Sequence, residues 1–179
     1  MMAHREQRDY FHELKNKFPK FFTGVNVLEV GSLNINGTIR DFFDDCSYIG
    51  IDVARGPGVD IVCQGQAYDA PDEHFDVCAS VECFEHNPYW VETFKNMVRM
   101  CKSGGLVIMT CATTGRPEHG TISHEPSSSP LTCNLGWDYY RNLTEDDFRF
   151  SMDISSMFKQ CRFSNHMSNC DLQFWGIKK

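Results

Sequence analysis

The sequence lacks the features of a membrane protein or a secreted protein. No apolar run approaches the roughly 20 residues that a helix needs to cross a bilayer, and charged residues crowd the N-terminal stretch, where a secretory leader is apolar. We therefore expect a cytoplasmic protein with no membrane partner.

The sequence also lacks a disulfide or zinc framework. The nine cysteines are an odd number and include no CxxC pair, so the ligand spacing of a structural zinc site is absent. We expect no bound metal. Without a secretory leader, reduced thiols are expected, several of them in the core: Cys63, Cys78, Cys101 and Cys111.

Positive charge is scarce. The chain carries 17 lysines and arginines against 24 aspartates and glutamates, which gives a net charge of −7. Such a surface repels polyanions, so we expect no nucleic-acid partner and no broad affinity for anionic membranes. The 179 residues, 41% of them hydrophobic, are enough for one domain, 1–179, with a single sizeable core.

The stretch from Val25 to Arg40 organises the rest of the chain. Its apolar start, residues 25–30, predicts a buried parallel strand, which Gly31 ends. Gly37 begins a run that is predicted to form a short helix over 37–44. A glycine-bracketed loop brings backbone close to a ligand, and the N-terminus of the following helix offers free N–H groups.

Two further strands extend this pattern. Residues 47–52 form a second apolar strand that ends in Asp52, 21 residues after Gly31. Doubly wound folds place a ribose-binding carboxylate at about this spacing. A third apolar strand is predicted over 75–81.

Four segments in this order resemble the class I S-adenosylmethionine-dependent methyltransferases, in their branch of small methyltransferase domains. The resemblance covers about residues 25–112 and implies a Rossmann-like α/β fold, doubly wound, with a mostly parallel sheet and a C-terminal antiparallel edge hairpin. The segments are Leu-Glu-Val-Gly ending at Gly31, Ile-Gly-Ile-Asp ending at Asp52, Phe-Asp-Val with Phe-Glu-His ending at His86, and Ser-Gly-Gly beginning at Ser103.

The remaining elements are predicted from periodicity and from helix breakers. The N-terminal segment, residues 1–24, contains an amphipathic helix over 5–18. This helix either packs against the edge of the sheet or, as in similar proteins, covers the cofactor. The other predicted elements are a strand over 59–63, a helix over 89–101 closed by Ser-Gly-Gly, a strand over 106–111, a helix over 144–158 and a strand pair over 162–169 and 172–177.

The resemblance also implies S-adenosylmethionine as the cofactor. Glu29 would lie near its ammonium group, and the backbone of Gly31 and Ser32 near its methionine end. Asp52 would accept hydrogen bonds from both ribose hydroxyls, since a carboxylate has two acceptor oxygens. The alternative for Glu29 and Asp52 is a pair of solvated carboxylates at strand ends.

Five more residues complete the cofactor site that the resemblance implies. Ile51 and Val53 flank the acid and would cover the adenine face. Gln66 would contact the adenine amino group, with the backbone of Ala67 beside it. Ser80, near the end of the strand over 75–81, would lie under the sulfonium.

The glycine loop departs from the family pattern. Similar proteins carry glycines two and four residues after the first glycine, where this chain has Leu33 and Ile35. The residues that contact the methionine end are therefore left open.

Residues 112–141 are rich in glycine, proline, serine, threonine and histidine. This segment follows the fifth strand, so it should lie at the carboxyl edge of the sheet, and we interpret it as a substrate-binding insertion. At its end, Tyr139, Tyr140 and Arg141 could stack on a sugar or hold a carboxylate or phosphate. The alternative is a packed anchor before the next helix.

Methyl transfer to a hydroxyl needs in-line positioning and a general base, for which histidine is suited near neutral pH. The candidates are His86, after the strand over 75–81, and His119 and His124 in the insertion. We predict His119 ahead of His86, because the insertion covers the approach of the acceptor. The alternatives are a loop-ordering role for His86, surface positions for the other two, and a loop metal site over residues 118–125.

The predicted function is methyl transfer to a small acceptor, at oxygen, with a sugar, glycan or natural product preferred. An NAD-dependent Rossmann oxidoreductase is one alternative, but it would need the G-x-G-x-x-G fingerprint, which the residues after Gly31 do not supply. A non-catalytic module that only binds the cofactor is the other, and the altered glycine loop favours it.

Overall fold

The computed structural model describes residues 5–179, so residues 1–4 of the predicted N-terminal segment lie outside the described residues. One sheet of seven strands runs in the order β3-β2-β1-β4-β5-β7-β6. The strands are β1 (Asn26–Val30), β2 (Ser47–Asp52), β3 (Ile61–Val62), β4 (Phe75–Val81), β5 (Cys101–Ala112), β6 (Phe158–His166) and β7 (Asp171–Lys178).

Strand direction divides this sheet into two parts. Strands β1 to β5 are parallel to one another, whereas β7 runs antiparallel to both β5 and β6. The central strands β1 and β4 are almost entirely buried, as expected for parallel strands that are covered on both faces. The predicted Rossmann-like fold with a C-terminal antiparallel hairpin is confirmed.

Helices cover both faces of the sheet. On one face α1 buries Tyr10, Phe11 and Leu14 beside Trp175 of β7, and on the other α2 and α4 meet through the rings of Phe94 and Phe148. Because α1 packs on the sheet and lines neither cavity described below, it is not placed as a cofactor lid. The helices are α1 (Arg5–Lys17), α2 (Trp90–Met100), α3 (Pro130–Asn134), α4 (Glu145–Ser151) and α5 (Ile154–Met157).

The prediction of a helix over 37–44 was wrong, because only a 3-10 turn, Ile39–Phe42, forms there. The preceding loop is held against the turn after β2 by a hydrogen bond from the Asn34 N–H to the Pro57 carbonyl (2.8 Å). Too few residues then remain before Ser47, where β2 begins, for a helix of several turns.

Other boundaries also differ from the predictions. β5 begins at Cys101, so Ser-Gly-Gly lies inside the strand, where the pairing with β4 changes register and Gly104 has φ +77°. The predicted helix over 144–158 is split into α4, closed at its start by a capping box between Thr144 and Asp147, and α5, capped by Asp153. β3 has only two residues, and β6 begins at Phe158.

The chain between β5 and α4 is mostly irregular. Its regular elements are a 3-10 turn, Pro126–Ser128, and the short helix α3. This insertion folds back over the carboxyl edge of the sheet, where its residues 128–132 line a cavity. Among residues 5–179, no helix is both long enough and apolar enough to cross a membrane.

Candidate active site

The candidate site lies at the carboxyl ends of β1 and β4. The strand order reverses there, since the chain leaves β1 towards β2 and later returns to β4 on the other side. Gly31, just after β1, lies directly against Cys83, just after β4; a Cβ on Gly31 would come within 2.6 Å of the Cys83 Cβ and Sγ. Open α/β sheets bind ligands at this kind of crevice.

Two adjoining cavities occupy this crevice, with about 400 and 350 Å³ of empty space, open solvent included. They share four lining residues, which makes them one continuous cleft: Gly31, Asp52, Cys83 and Thr132. The first cavity adds Leu33, Ile35, Glu82, His86 and residues 128–131, and the second adds Val30, Ile51, Val53, Cys63, Gly65, Gln66, Asn87 and Trp137.

Asp52 lies at the centre of this cleft, at the end of β2. One carboxylate oxygen accepts a hydrogen bond from the Leu33 N–H (3.0 Å) and the other from the Val53 N–H (2.7 Å). Burial raises the pKa of Asp52, while these two hydrogen bonds lower it. Each oxygen keeps a further lone pair, so the carboxylate can still accept two hydroxyl groups of a ligand.

The second cavity has an apolar wall and polar ends. Ile51, Val53 and Trp137 supply the apolar surface. Gln66 lines it as well, and its Nε2 donates to Gln64 Oε1 (2.7 Å) while its Oε1 is 3.4 Å from the Thr93 hydroxyl. Ala67 is outside both cavities, and its N–H donates to the Gln64 carbonyl (2.9 Å).

The backbone N–H groups of the glycine loop are already engaged. The amides of Gly31 and Ser32 both donate to the Ile51 carbonyl, at 2.9 and 3.1 Å, and the amide of Leu33 donates to Asp52. Because only a 3-10 turn follows this loop, the loop does not lead into an α-helix whose N-terminus could face the cleft. The loop can therefore offer a ligand carbonyl oxygens and close contact, but not the set of free N–H groups that the sequence suggested.

Two predicted cofactor contacts are placed away from the cleft. Ser32 is buried beside Gly50, and its hydroxyl has no hydrogen-bond partner. Ser80 is fully buried within β4, and its hydroxyl donates to the Val30 carbonyl (2.8 Å). Neither side chain lines either cavity, so both act in packing the sheet.

Glu29 is buried within β1, is not solvated and lines neither cavity. The Tyr48 hydroxyl donates to its Oε2 (2.7 Å), while its Oε1 has no hydrogen-bond partner. Burial raises the pKa of Glu29 from about 4.5 to about 7, against the lowering effect of the Tyr48 hydrogen bond. A buried, half-satisfied carboxyl of this kind is costly to ionise and is suited to interaction with a cationic group.

A buried pair of histidines adjoins the first cavity. His86, in the turn after β4, and His119, in the insertion, have ring centroids 5.0 Å apart. The ring of Tyr140 lies 5.6 Å from His86 and 5.0 Å from His119, so three rings pack together. The insertion can approach this closely because residue 120 is glycine: a Cβ there would lie 2.5 Å from the His86 Cε1.

The hydrogen bonds of these histidines leave lone pairs available. The Nδ1 of His119 lies 3.0 Å from the Pro117 carbonyl oxygen, which only accepts, so the proton is on Nδ1 and Nε2 is unprotonated. Neither ring nitrogen of His86 has a hydrogen-bond partner. Burial lowers the pKa of both residues, that of His86 to about 3, so both imidazoles are neutral near pH 7.

The other predicted acceptor-site residues are placed differently. His124 is exposed and lies 3.2 Å from Glu118, outside both cavities. Arg141 pairs with Asp147 at the start of α4, which is the role of a packed anchor. Tyr139 lines neither cavity, whereas Tyr140 contacts the histidine pair.

Several cleft residues were missed by the sequence analysis. Glu82, Cys83, Asn87, Thr132 and Trp137 line the cavities, and Glu85 lies beside the histidine pair. Residues 82–87 could have been predicted to lie near the cleft, because they directly follow β4 and all the parallel strands end at the same edge of the sheet. Nothing in the sequence indicated which residues of the insertion would reach the cleft.

Comparisons with known proteins agree with this geometry. Residues 43–109 match a family model described as a methyltransferase domain. Among curated proteins, no sequence match was found.

Solved structures with a similar fold include two N-methyltransferases. The first is 1,6-didemethyltoxoflavin-N1-methyltransferase of Burkholderia thailandensis, with bound S-adenosylhomocysteine: 12% identity, 98% of this chain and 79% of that chain covered, TM-score 0.67. The second is phosphoethanolamine N-methyltransferase 2 of Haemonchus contortus, in complex with S-adenosyl-L-methionine: 15% identity, 95% and 52% covered, TM-score 0.64.

A third structure of this fold, the cyclase SpnF, has 15% identity, covers 94% of this chain and 65% of that chain, and has a TM-score of 0.62. At such identities the likeness establishes the fold. Together with the matched family model, it confirms the resemblance to class I methyltransferases.

The buried state of Glu29 predicts a pH-dependent effect of Glu29→Gln. The folded protein retains a proton on Glu29 between pH 4.5 and 7 that the unfolded chain releases, so the wild type loses stability as pH rises through this window. The variant has no such proton. Its free energy of unfolding relative to the wild type should therefore rise with pH, by at most about 3 kcal/mol.

Urea unfolding at a series of pH values measures this difference. A pH-independent cost of burying the glutamine amide lowers the free energy of unfolding of the variant equally at every pH. It therefore leaves unchanged the slope, against pH, of the difference between variant and wild type. The same substitution at the exposed Glu92 of α2 is the control, because no comparable desolvation applies there. A difference between wild type and Glu29→Gln that stays flat from pH 4.5 to 7 would show that Glu29 is not held protonated.

Proposed function

We propose that this chain is an S-adenosylmethionine-dependent methyltransferase that acts on an oxygen of a small acceptor, a hydroxyl of a sugar, glycan or natural product being preferred. The observation that carries the proposal is the continuous cleft at the β1–β4 crevice, with Asp52 shared between its two cavities. A nucleoside needs such a carboxylate for its ribose, and it needs an apolar slot for its base.

The second cavity suits the adenosine part of this cofactor. Ile51 and Val53 would contact the adenine faces, Gln66 would contact its polar edge, and Asp52 would accept the ribose hydroxyls with its remaining lone pairs. The methionine part would extend past Gly31 towards the first cavity, where backbone carbonyls and the buried Glu29 favour its ammonium group. When bound, the cofactor supplies a methyl group on a positively charged sulfur.

The first cavity would hold the acceptor. Its residues 128–132 come from the insertion, and His86 and Glu82 form its inner end. The acceptor oxygen forms the new bond to the methyl carbon, the sulfur keeps the electron pair of the broken bond, and the hydroxyl proton passes to a base. His119 lines neither cavity, but its ring packs against that of His86, which lines the first. Because its Nε2 is unprotonated, we assign the proton to His119.

This placement of histidines favours an oxygen acceptor. A neutral amine can attack the methyl group first and lose its proton afterwards, so it needs no base at the moment of transfer. A hydroxyl is a weak nucleophile until its proton is removed. Two neutral imidazoles beside the cavity therefore support transfer to oxygen, although two of the structural neighbours are named as N-methyltransferases.

A non-catalytic cofactor-binding module is the second candidate. The occupied N–H groups of residues 31–33 and the missing helix after β1 favour it, because they remove donors for the methionine carboxylate. Turnover with a panel of hydroxyl acceptors separates the two candidates. An NAD-dependent reaction is disfavoured by the same features, since a pyrophosphate also needs the helix N-terminus.

We predict that Asp52→Ala weakens the binding of S-adenosylmethionine at least about tenfold. The variant leaves both ribose hydroxyls without their charged acceptor. Isothermal titration calorimetry measures the affinity, and a thermal melt confirms that the variant is folded. Asp69→Asn, at an exposed aspartate outside both cavities, is the control. Equal affinities for wild type and Asp52→Ala would remove Asp52 from the site.

We predict that the insertion, from about Gly115 to Arg141, acts as a lid that ligands immobilise. Thr132 lines both cavities, so cofactor and acceptor would both contact this segment. Limited proteolysis with a protease of broad specificity should cut the insertion in the free protein and be slowed by the cofactor, and further by acceptor. Asp52→Ala at the same ligand concentration should lose the protection. Equal cleavage rates with and without ligands would count against a lid.

We predict that His119→Ala lowers kcat about 100-fold or more, the usual contribution of a positioned base, with cofactor affinity nearly unchanged. Steady-state kinetics and calorimetry measure the two quantities, and the exposed His74→Ala is the control. If His86→Ala shows this signature and His119→Ala does not, the assignment reverses. If neither variant shows it, positioning alone drives the transfer.

A further inference from the structure

Unsatisfied polar atoms concentrate in one short segment after β4. Among residues 5–179, nine buried side-chain nitrogen or oxygen atoms have no hydrogen-bond partner, and four of them belong to residues 82–86. They are Glu85 Oε2, both ring nitrogens of His86, and Glu82 Oε2, which has an ion-pair contact with the Arg116 guanidinium at 4.0 Å. Native proteins keep such atoms paired, so a cluster of orphaned atoms indicates a partner that binds there.

Two of these side chains, Glu85 and His86, lie close enough to His119 for the three residues to share that partner. Glu85, His86 and His119 each offer one ligand atom, and these atoms lie within 4.8 Å of one another. All three residues are buried. Ligands on opposite sides of one ion with bonds of about 2.1 Å are about 4.2 Å apart, so a small contraction is sufficient.

Hydrogen bonds to the backbone orient two of the three ligands. The Nδ1–H of His119 faces the Pro117 carbonyl, and this leaves Nε2 for the site. Glu85 receives the Ala112 N–H on Oε1 (3.2 Å) and keeps Oε2 free of hydrogen bonds. Histidines that bind metals characteristically donate their second N–H to a backbone carbonyl, as His119 does here.

We propose that Glu85, His86 and His119 bind one divalent transition-metal ion. Two imidazoles and one carboxylate form a donor set that suits Zn²⁺, Co²⁺, Fe²⁺ or Mn²⁺, whereas Mg²⁺ prefers oxygen ligands alone. Three protein ligands leave coordination positions open, which is the arrangement of a catalytic site and not of a closed structural one. The expectation from the sequence was that no metal binds.

The ion would lie next to the acceptor, because His86 and Glu82 line the first cavity. This second part rests on the proposed function. An acceptor hydroxyl bound at an open position becomes more acidic and releases its proton to solvent. The oxygen then forms the bond to the methyl carbon while the sulfur keeps the electron pair of the bond that breaks. In this arrangement His119 holds the ion and does not itself take the proton.

Titration with Co²⁺ tests the binding without cofactor or acceptor. The wild type should bind one equivalent and show the weak visible absorption of cobalt with nitrogen and oxygen ligands. Half-exposed cysteines are present, but thiolate ligation gives strong near-ultraviolet absorption and is recognised by it. Mn²⁺ or Zn²⁺ should displace the cobalt signal at far lower concentration than Mg²⁺.

Variants locate the ion within the chain. His119→Ala and Glu85→Gln should each weaken Co²⁺ binding at least tenfold, whereas His124→Ala, an exposed histidine of the same insertion, should leave it unchanged. Circular dichroism and a thermal melt show whether each variant is folded. Absence of a one-equivalent site in the wild type, a thiolate-type spectrum, or equal binding in both folded ligand variants would overturn the proposal.

Activity separates this inference from the proposed function. If the chain binds Co²⁺ as described but transfers no methyl group, the metal site stands and the proposed function fails. If methyl transfer occurs at full rate in the presence of a strong chelator, and no Co²⁺ site is found, the metal site fails and His119 remains the base. Loss of activity with chelator and its recovery with Mn²⁺ or Zn²⁺ supports both.

Discussion

The close contact between Gly31 and Cys83 fixes the geometry of the candidate site. It joins the ends of β1 and β4, which belong to the two halves of the sheet, at the point where the chain changes direction. No larger side chain fits at residue 31, and Gly31 also has φ +81°, which glycine adopts without strain. Gly31 and Cys83 line both cavities of the cleft, and Asp52 is shared between them as well.

This architecture buries several polar groups near the cleft, which lowers the stability of the fold. Glu29, Glu82, Glu85 and His86 are each less than a tenth exposed, and each has at least one side-chain atom without a hydrogen bond. A fold selected for stability alone would fill these positions with apolar residues, since an unpaired buried polar atom costs about 1–3 kcal/mol. Their grouping at one edge of the sheet is therefore best explained by ligands that complete their interactions.

The sequence predicted the architecture well because strands and caps depend on local signals. Apolar runs located β1, β2 and β4, and Thr144 with the acids after it located the start of α4. The helix over 37–44 failed because a tertiary hydrogen bond from Asn34 to Pro57 decides the path of that loop. Asp52 could be placed from its spacing alone, whereas Cys83 and Thr132 could not, since they reach the cleft through contacts between distant segments.

The burial of His86 and His119 bears on whether this pair supplies a general base or binds a metal ion. His86 and His119 are 3% and 5% exposed, and the ring of Tyr140, whose hydroxyl donates to Asn142, packs against both. A base so enclosed must pass its proton on before the next turnover, and neither ring nitrogen of His86 has a hydrogen-bond partner through which the proton could leave. A metal ion removes this difficulty, because a coordinated hydroxyl can release its proton through the open side of the first cavity. The same burial lowers the pKa of both imidazoles and keeps them neutral, which is the form that binds a metal.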